Sequence, residues 1–362
     1  MHKYQQSEKR KRYLRRRAKR SLRRKLSHKH YVCERNRSQL GKPHFVRIAE
    51  SKVTALKPWV QRIVAPSNFS FVNNAEEMCL FIQRIEYCLV KRRPVYIVMM
   101  GIEKIGYGAL AVLLSIMVRF KSTGIDFNGN TPLNPECARV LIRSRFFDYL
   151  YKQFDPSDEY ELSDENTIVT HARTVVNPEL AAKVIEEAGT TIWGEPRRSM
   201  GVYRVIEELM HNTHNHAAGF EGEEKFWWMT TEHNKSKRKV LFSFVDYGVG
   251  VFKSLEGDAP RSKFKAFKER LVLWLSRGSR ENQLQRIFEG DLHLTVTGNA
   301  YRGKGLPGIY EAYQKGKIAN LCFISNNVMF DGRHGTYTRL KNPFHGTYVY
   351  WELTDRSPSL PL

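Results

Sequence analysis

Glu208 and Asn212 stand four residues apart in the run Val205-Ile-Glu-Glu-Leu-Met-His-Asn-Thr-His-Asn-His-Ala217. On a helix that spacing puts both side chains on one face, about one turn apart. A carboxylate can polarise a water, and a neutral amide oxygen can ligate Mg2+. The same pair also suits the wet face of an ordinary amphipathic helix. A second group is Asp246-Tyr-Gly-Val-Gly250, directly after the apolar run Val240–Val245. An acid at a strand end can accept from an amine, and glycines two residues apart let the backbone approach a flat ligand. A hairpin would use the same residues. A third is Arg302-Gly-Lys-Gly-Leu-Pro-Gly308, ahead of a helix predicted over Ile309–Gln314. Glycines before a helix N-terminus offer N–H groups and a positive dipole end to phosphate, with Arg302 and Lys304 adding charge. Pro307 lacks an N–H and removes one donor. His211 and His214 have a possible metal-ligand spacing, but no Cys or acid completes a set around them and His216.

These groups need elements to hold them. A helix carries Glu208 and Asn212, a strand ends at Asp246, and a helix starts near Gly308. Strand-like stretches follow at Ile318–Ser325 and Gly346–Leu353. Upstream, the periodicity predicts a helix over Asn74–Val90, a buried strand over Val95–Met99, and a turn over Gly101–Gly108. A buried helix over Ala109–Phe120, a strand over Ile125–Asn128 and an amphipathic helix over Pro135–Tyr149 complete the series. Alternating strands and helices imply an α/β layer with parallel pairing. Residues 43–68 read as a linker and 156–184 as a connector.

The order and spacing of the three groups carry more than each alone. An ExxxN helix is followed by DxGxG about 35 residues on, then by GxGLxG about 55 further. This pattern, over about residues 185–355, resembles the GHKL ATPase superfamily: the first group its N box, Asp246–Gly250 its G1 box, Gly303–Gly308 its G2 box. The resemblance implies a Bergerat fold, an α/β sandwich with a mixed sheet on one side and helices on the other. It implies binding of ATP with Mg. Asn212 would ligate Mg2+, Asp246 would accept from the adenine amino group, and Gly248 and Gly250 would make room for the purine. Arg302, Gly303, Lys304, Gly305, Leu306 and Gly308 would cradle phosphates. His216 and Thr347 would add nucleotide contacts, and Glu208 would orient the attacking water or hydroxyl. Phe252–Tyr301 would be a lid with a basic run from Arg261 to Arg270.

The preceding stretch, residues 69–155, is similar in its strand–turn–helix pattern to the STAS fold of anti-sigma-factor antagonists. In that family the turn carries a Ser or Thr that becomes phosphorylated. Here the turn reads Glu103-Lys-Ile-Gly-Tyr107, with no hydroxyl before the glycine. The resemblance therefore implies a docking module, not a phospho-switch.

Charge separates a third region. The chain has 362 residues and a net charge of +22, of which residues 1–42 carry 17 Lys and Arg against Glu8 and Glu34. The remainder is a mildly basic body, 41% hydrophobic over the whole chain, which is not the composition of a disordered protein. The arm, disordered or helical, suits sequence-tolerant contact with nucleic acid or another polyanion. No apolar run approaches the ~18 residues of a membrane helix, and the N-terminus lacks an apolar signal core. Five scattered cysteines without a CxxC pair suit a reducing cytoplasm. The readings that remain are an ATP-driven regulatory switch acting on a protein partner or homodimer, an anti-sigma-type serine kinase, and an adaptor that binds nucleotide without hydrolysing it.

Overall fold

The computed structural model describes residues 58–144, 146, 166–173, 175–216, 227–253, 278–290 and 305–361. The basic arm lies outside them. The chain is mixed α/β, with parallel and antiparallel sheets. Trp59–Phe146 and Asp155–Leu362 belong to one compact unit.

Three short strands, β1 (Gln61–Val64), β3 (Val95–Val98) and β5 (Phe127–Gly129), pair in parallel in the order β1-β3-β5. A two-stranded parallel sheet joins β2 (Asn68–Phe69) to β4 (Lys104–Ile105). β3 is buried throughout, as a central parallel strand covered on both faces must be. Helices α1 (Ala75–Val90) and α2 (Tyr107–Ser122) make the crossovers, and α3 (Pro135–Arg143) follows β5. α3 starts on Pro135, and the Asn134 side chain accepts from the N–H groups of Glu136 and Cys137. α2 is apolar nearly all round, and buried residues run from Gly108 to Met117. A helix of that kind has to be covered on every side. Its second cover is the larger sheet.

That sheet has the order β10-β11-β9-β8-β6. Its strands are β6 (Asn166–Arg173), β8 (Trp227–Asn234), β9 (Lys239–Asp246), β10 (Ala319–Asp331) and β11 (Thr336–Thr354). A short β7 (Arg197–Arg198) pairs apart with β12 (Leu360–Pro361). Every pairing in the five-stranded sheet is antiparallel, so among the described residues the mixed sheet implied above is not found. The connections explain this. Four-residue turns join β8 to β9 and β10 to β11, and a connection that short can only return the chain antiparallel.

One face of the sheet packs on α4 (Pro178–Trp193), α5 (Met200–His216), α6 (Arg280–Phe288) and α7 (Gly305–Gln314). Val240, Phe242 and Phe244 of β9 and Val349, Trp351 and Leu353 of β11 share this core with Val205, Ile206, Leu209 and Met210 of α5. Alternation turns the intervening residues to the other face. That face is covered too, by α1 on β11 and by α2 on β8 and β9. The two-layer expectation therefore gives way to a sheet with helices on both sides. Described elements fall in stretches read as connections: β1 and the first residue of β2 lie inside 43–68, and β6 with the start of α4 lies inside 156–184. The four described cysteines, Cys79, Cys88, Cys137 and Cys322, are free and buried, and none of the described helices is long and apolar enough to cross a membrane.

Candidate functional site

Asp246 is the last residue of β9, and its parity with Phe244 and Phe242 turns it toward the face covered by α4–α7. It is 8% exposed, and its Oδ1 accepts from the N–H of Gly248 at 2.9 Å. Across the ladder it sits opposite Thr347 of β11. Burial pushes the carboxyl up to about 6, against the pull of the Gly248 N–H and of the Thr347 hydroxyl and N–H. Thr347 thus supports Asp246 directly.

The glycine loop after Asp246 is held by β10. Gly250 has φ +77°, and a Cβ there would lie 2.6 Å from both Oδ1 and Nδ2 of Asn326. The Asn326 amide clamps the loop from both ends. Its Nδ2 donates to Val249 O at 2.9 Å, and its Oδ1 accepts from Phe252 N–H at 3.1 Å. Ser325 Oγ accepts from Val251 N–H and donates to Gly346 O, both at 3.0 Å. The pairing register shifts at Ser325–Asn326, and Asn326 itself has φ +51°. This bulge turns two successive polar side chains to the loop. Neither residue was among the sequence candidates. The visible signal is the polar break Ser325-Asn-Asn327 inside an otherwise apolar strand.

Glu208 and Asn212 lie on α5 as the spacing predicts. Both are half-buried and close on the start of α7. From a Cβ built on Gly305, Glu208 Oε2 would be 3.1 Å away, Asn212 Nδ2 3.2 Å and Asn212 Oδ1 3.4 Å. Gly305 thus lets the helix start pass close to both side chains. Burial raises the Glu208 carboxyl above the usual range, while neighbouring His211 opposes the shift. The pair offers hard oxygen donors of the kind Mg2+ takes.

The structure corrects the third group in one respect. Gly305, Leu306 and Gly308 are not loop but the first turn of α7. Pro307 sits in that turn, where backbone N–H groups have no intrahelical partner, so its missing donor costs the helix nothing. A Cβ at Gly308 would meet nothing within 4 Å, leaving that side of the helix start open. Arg302, Gly303 and Lys304 lie outside the described residues, as does most of Phe252–Tyr301. Within its described part, α6 packs into the core. Leu284, Ile287 and Phe288 are buried in the core, and Phe288 stacks on Tyr310 at 4.9 Å. His216 ends α5, and the structure describes its backbone only.

The described candidates therefore form two clusters. One is Asp246, Gly248, Gly250 and Thr347; the other is Glu208 and Asn212 with Gly305, Leu306 and Gly308 at the start of α7. They rest on one core. No protein-family model matches the chain, and no curated protein does. The site's own geometry must carry the functional reading.

A separate cavity of about 360 Å³ lies on the opposite face of the sheet, between β8, β9, β11 and the start of α2. Thr230, Glu232, Ser243, Tyr350 and Glu352 line it. Tyr350 Oη donates to Glu352 Oε1 at 2.5 Å, and Lys239 Nζ donates to Glu352 Oε2 at 3.2 Å. Burial pushes Glu232 up to about 7. Strand alternation separates this cavity from Asp246.

Proposed function

We propose that the chain binds Mg-ATP as a regulatory ATPase or switch of the GHKL type, with nucleotide occupancy controlling a protein partner or a second copy. The observation that carries this reading is Asp246. A buried, partnered carboxyl at a strand end, followed by a clamped glycine loop, is what a purine with an exocyclic amine requires. The glycines would admit the ring. The N-terminal end of α7 would meet the phosphates through backbone N–H groups and its dipole. Asn212 would hold Mg2+ through Oδ1, and that ion would supply charge neutralisation between the phosphates.

Glu208 would orient a water for in-line attack on the γ-phosphorus. The new P–O bond forms as the bond to the β-phosphate oxygen breaks, and ADP and inorganic phosphate leave. Burial raises this carboxyl above its ordinary range, so its ionised form is a stronger base toward the water's proton. The basic arm would contact a polyanion, with affinity falling steeply as salt rises. The free, buried cysteines suit a reducing compartment.

The test is base preference. Guanine presents a carbonyl oxygen where adenine presents its amine, so a carboxylate there repels GTP. Wild-type protein is expected to prefer ATP over GTP by about 100-fold or more. Asp246→Asn, which offers a donor as well as an acceptor, should bind ATP at least about tenfold more weakly and lose most of the preference. Equal binding of both nucleotides by the wild type would remove Asp246 from the purine site.

A further inference from the structure

Asp246 and Tyr247 are adjacent in sequence and point to opposite faces of the sheet. Asp246 faces the α4–α7 layer, while Tyr247 reaches into the layer made by α1 and α2. Its hydroxyl donates to the backbone carbonyl of Val112 in α2 at 3.1 Å. The Arg119 guanidinium of α2 lies 5.5 Å from the ring centroid, and the Phe344 ring is 5.8 Å away. Arg119 in turn approaches Glu86 of α1 at 3.8 Å.

A second line runs from α1 to the same carboxyl. Glu76 accepts from the backbone N–H groups of Lys341 and Asn342 at 3.1 and 3.3 Å and from Asn342 Nδ2 at 2.9 Å. Gln83 Nε2 donates to Pro343 O at 2.9 Å. Glu86 Oε2 lies 2.7 Å from His345 Nδ1. These bonds hold Lys341–His345, the segment that leads into Gly346 and Thr347 beside Asp246. Gly346 permits the close approach, because a Cβ there would lie 2.0 Å from Asp246 O. Asp246 is thus held from behind through Tyr247 and through Thr347, and both holds end on α1 and α2.

We infer that Tyr247 is a positioning residue for the purine site, anchoring Asp246 and Gly248 to the α1–α2 layer so that the N-terminal α/β region sets nucleotide affinity. The inference rests on the ATP reading above. It assigns a task to a region whose turn, Glu103–Tyr107, has no hydroxyl to phosphorylate ahead of Gly106. It also makes the coupling reciprocal: whatever displaces α2 must weaken nucleotide binding, and bound nucleotide must hold α2 in place.

The test compares the full-length wild type with Tyr247→Phe and Tyr247→Ala, using ATP and inorganic tripolyphosphate as probes in the presence of Mg2+. Tyr247→Phe keeps the ring and loses the hydroxyl's bonds with Val112 O and the Ser115 side chain. It should weaken ATP by about three- to tenfold, and Tyr247→Ala should weaken it further. Tripolyphosphate, which has no purine, should bind all three proteins alike. Thermal unfolding checks that each variant is folded, and Tyr247→Phe serves alone if the alanine variant is not. If both probes weaken together, or if Tyr247→Phe binds ATP as the wild type does, the positioning role is overturned while the ATP site stands. A folded wild type that binds no ATP overturns the nucleotide reading, and this inference with it.

Discussion

Replacing Glu208 by glutamine is expected to lower ATP turnover by about 10²- to 10⁴-fold while Mg-ATP affinity stays within about twofold. Glutamine keeps the shape and the contact with Gly305 but cannot accept a proton. Glu208 is half-buried on α5, with its Oε2 beside the start of α7, where the terminal phosphate would lie. Burial raises its carboxyl, so the ionised form is short of solvation and ready to take up a proton. A loss confined to turnover marks an interaction made only in the transition state. Steady-state phosphate release alongside nucleotide binding reads both quantities. Equal loss in both would make Glu208 a binding residue. A wild type that binds ATP and releases no phosphate would select the adaptor reading, and label transferred to a protein serine would select the kinase.

Gly346→Ala is expected to cost about 3 kcal/mol or more of stability. A residue with φ +126° is strained with any side chain, and here the Cβ would also meet backbone: Asp246 O at 2.0 Å and Tyr247 Cα at 3.1 Å. Neither neighbour can swing away as a flexible side-chain end could. The strands must part where Thr347 faces Asp246, and the Ser325 bond to Gly346 O goes with them. At about 2.1 cal/mol/K of unfolding entropy per residue, the thermal midpoint of this 362-residue chain should fall by roughly 4 °C or more. The control is Gly335→Ala in the β10–β11 turn. Its φ is +64°, but nothing lies within 4 Å of the added methyl. That variant should lose no more than about 1 kcal/mol. Similar midpoints for the two variants would show that the close approach at Gly346 carries no energetic weight.

The elements that position the candidate site were legible because periodicity and end signals agreed. β9 ends at Asp246 after an apolar run, α5 carries an apolar stripe, and β11 contains the Gly346–Leu353 strand. The parallel pairing of the N-terminal strands followed from their alternation with helices. The failures have physical causes. β1 is four residues at a sheet edge, mostly exposed, and leaves almost no apolar signal. β6 did carry one, in the β-branched run Thr167-Ile-Val-Thr170, but its acidic surroundings read as a connector. Sheet direction depends on turns, and Lys235–Arg238 has no Asn-Gly or Asp-Gly signature to mark a hairpin. The cover of α1 and α2 on the sheet's second face is a long-range contact that no local pattern encodes. It was foreshadowed only by Tyr348 and Tyr350 alternating with Val349 and Trp351, which leaves neither face of β11 polar. Ser325 and Asn326 were missed because their role depends on a bulge.

The most direct test is calorimetric titration of Mg-ATP into the full chain near pH 6, in two buffers of different ionisation enthalpy, with Asp246→Asn alongside. With its carboxyl raised to about 6 in the free protein, Asp246 titrates in this range. An amine donating to it favours the ionised form and lowers that value, so binding must release part of a proton. The sign follows: affinity weakens as pH falls through 6 and levels off above it. Saturable one-to-one binding is expected, with a heat that differs between the buffers, and in Asp246→Asn weaker binding with that difference diminished. Folded wild-type protein that takes up no Mg-ATP, or takes it up identically in the Asp246 variant, would contradict it.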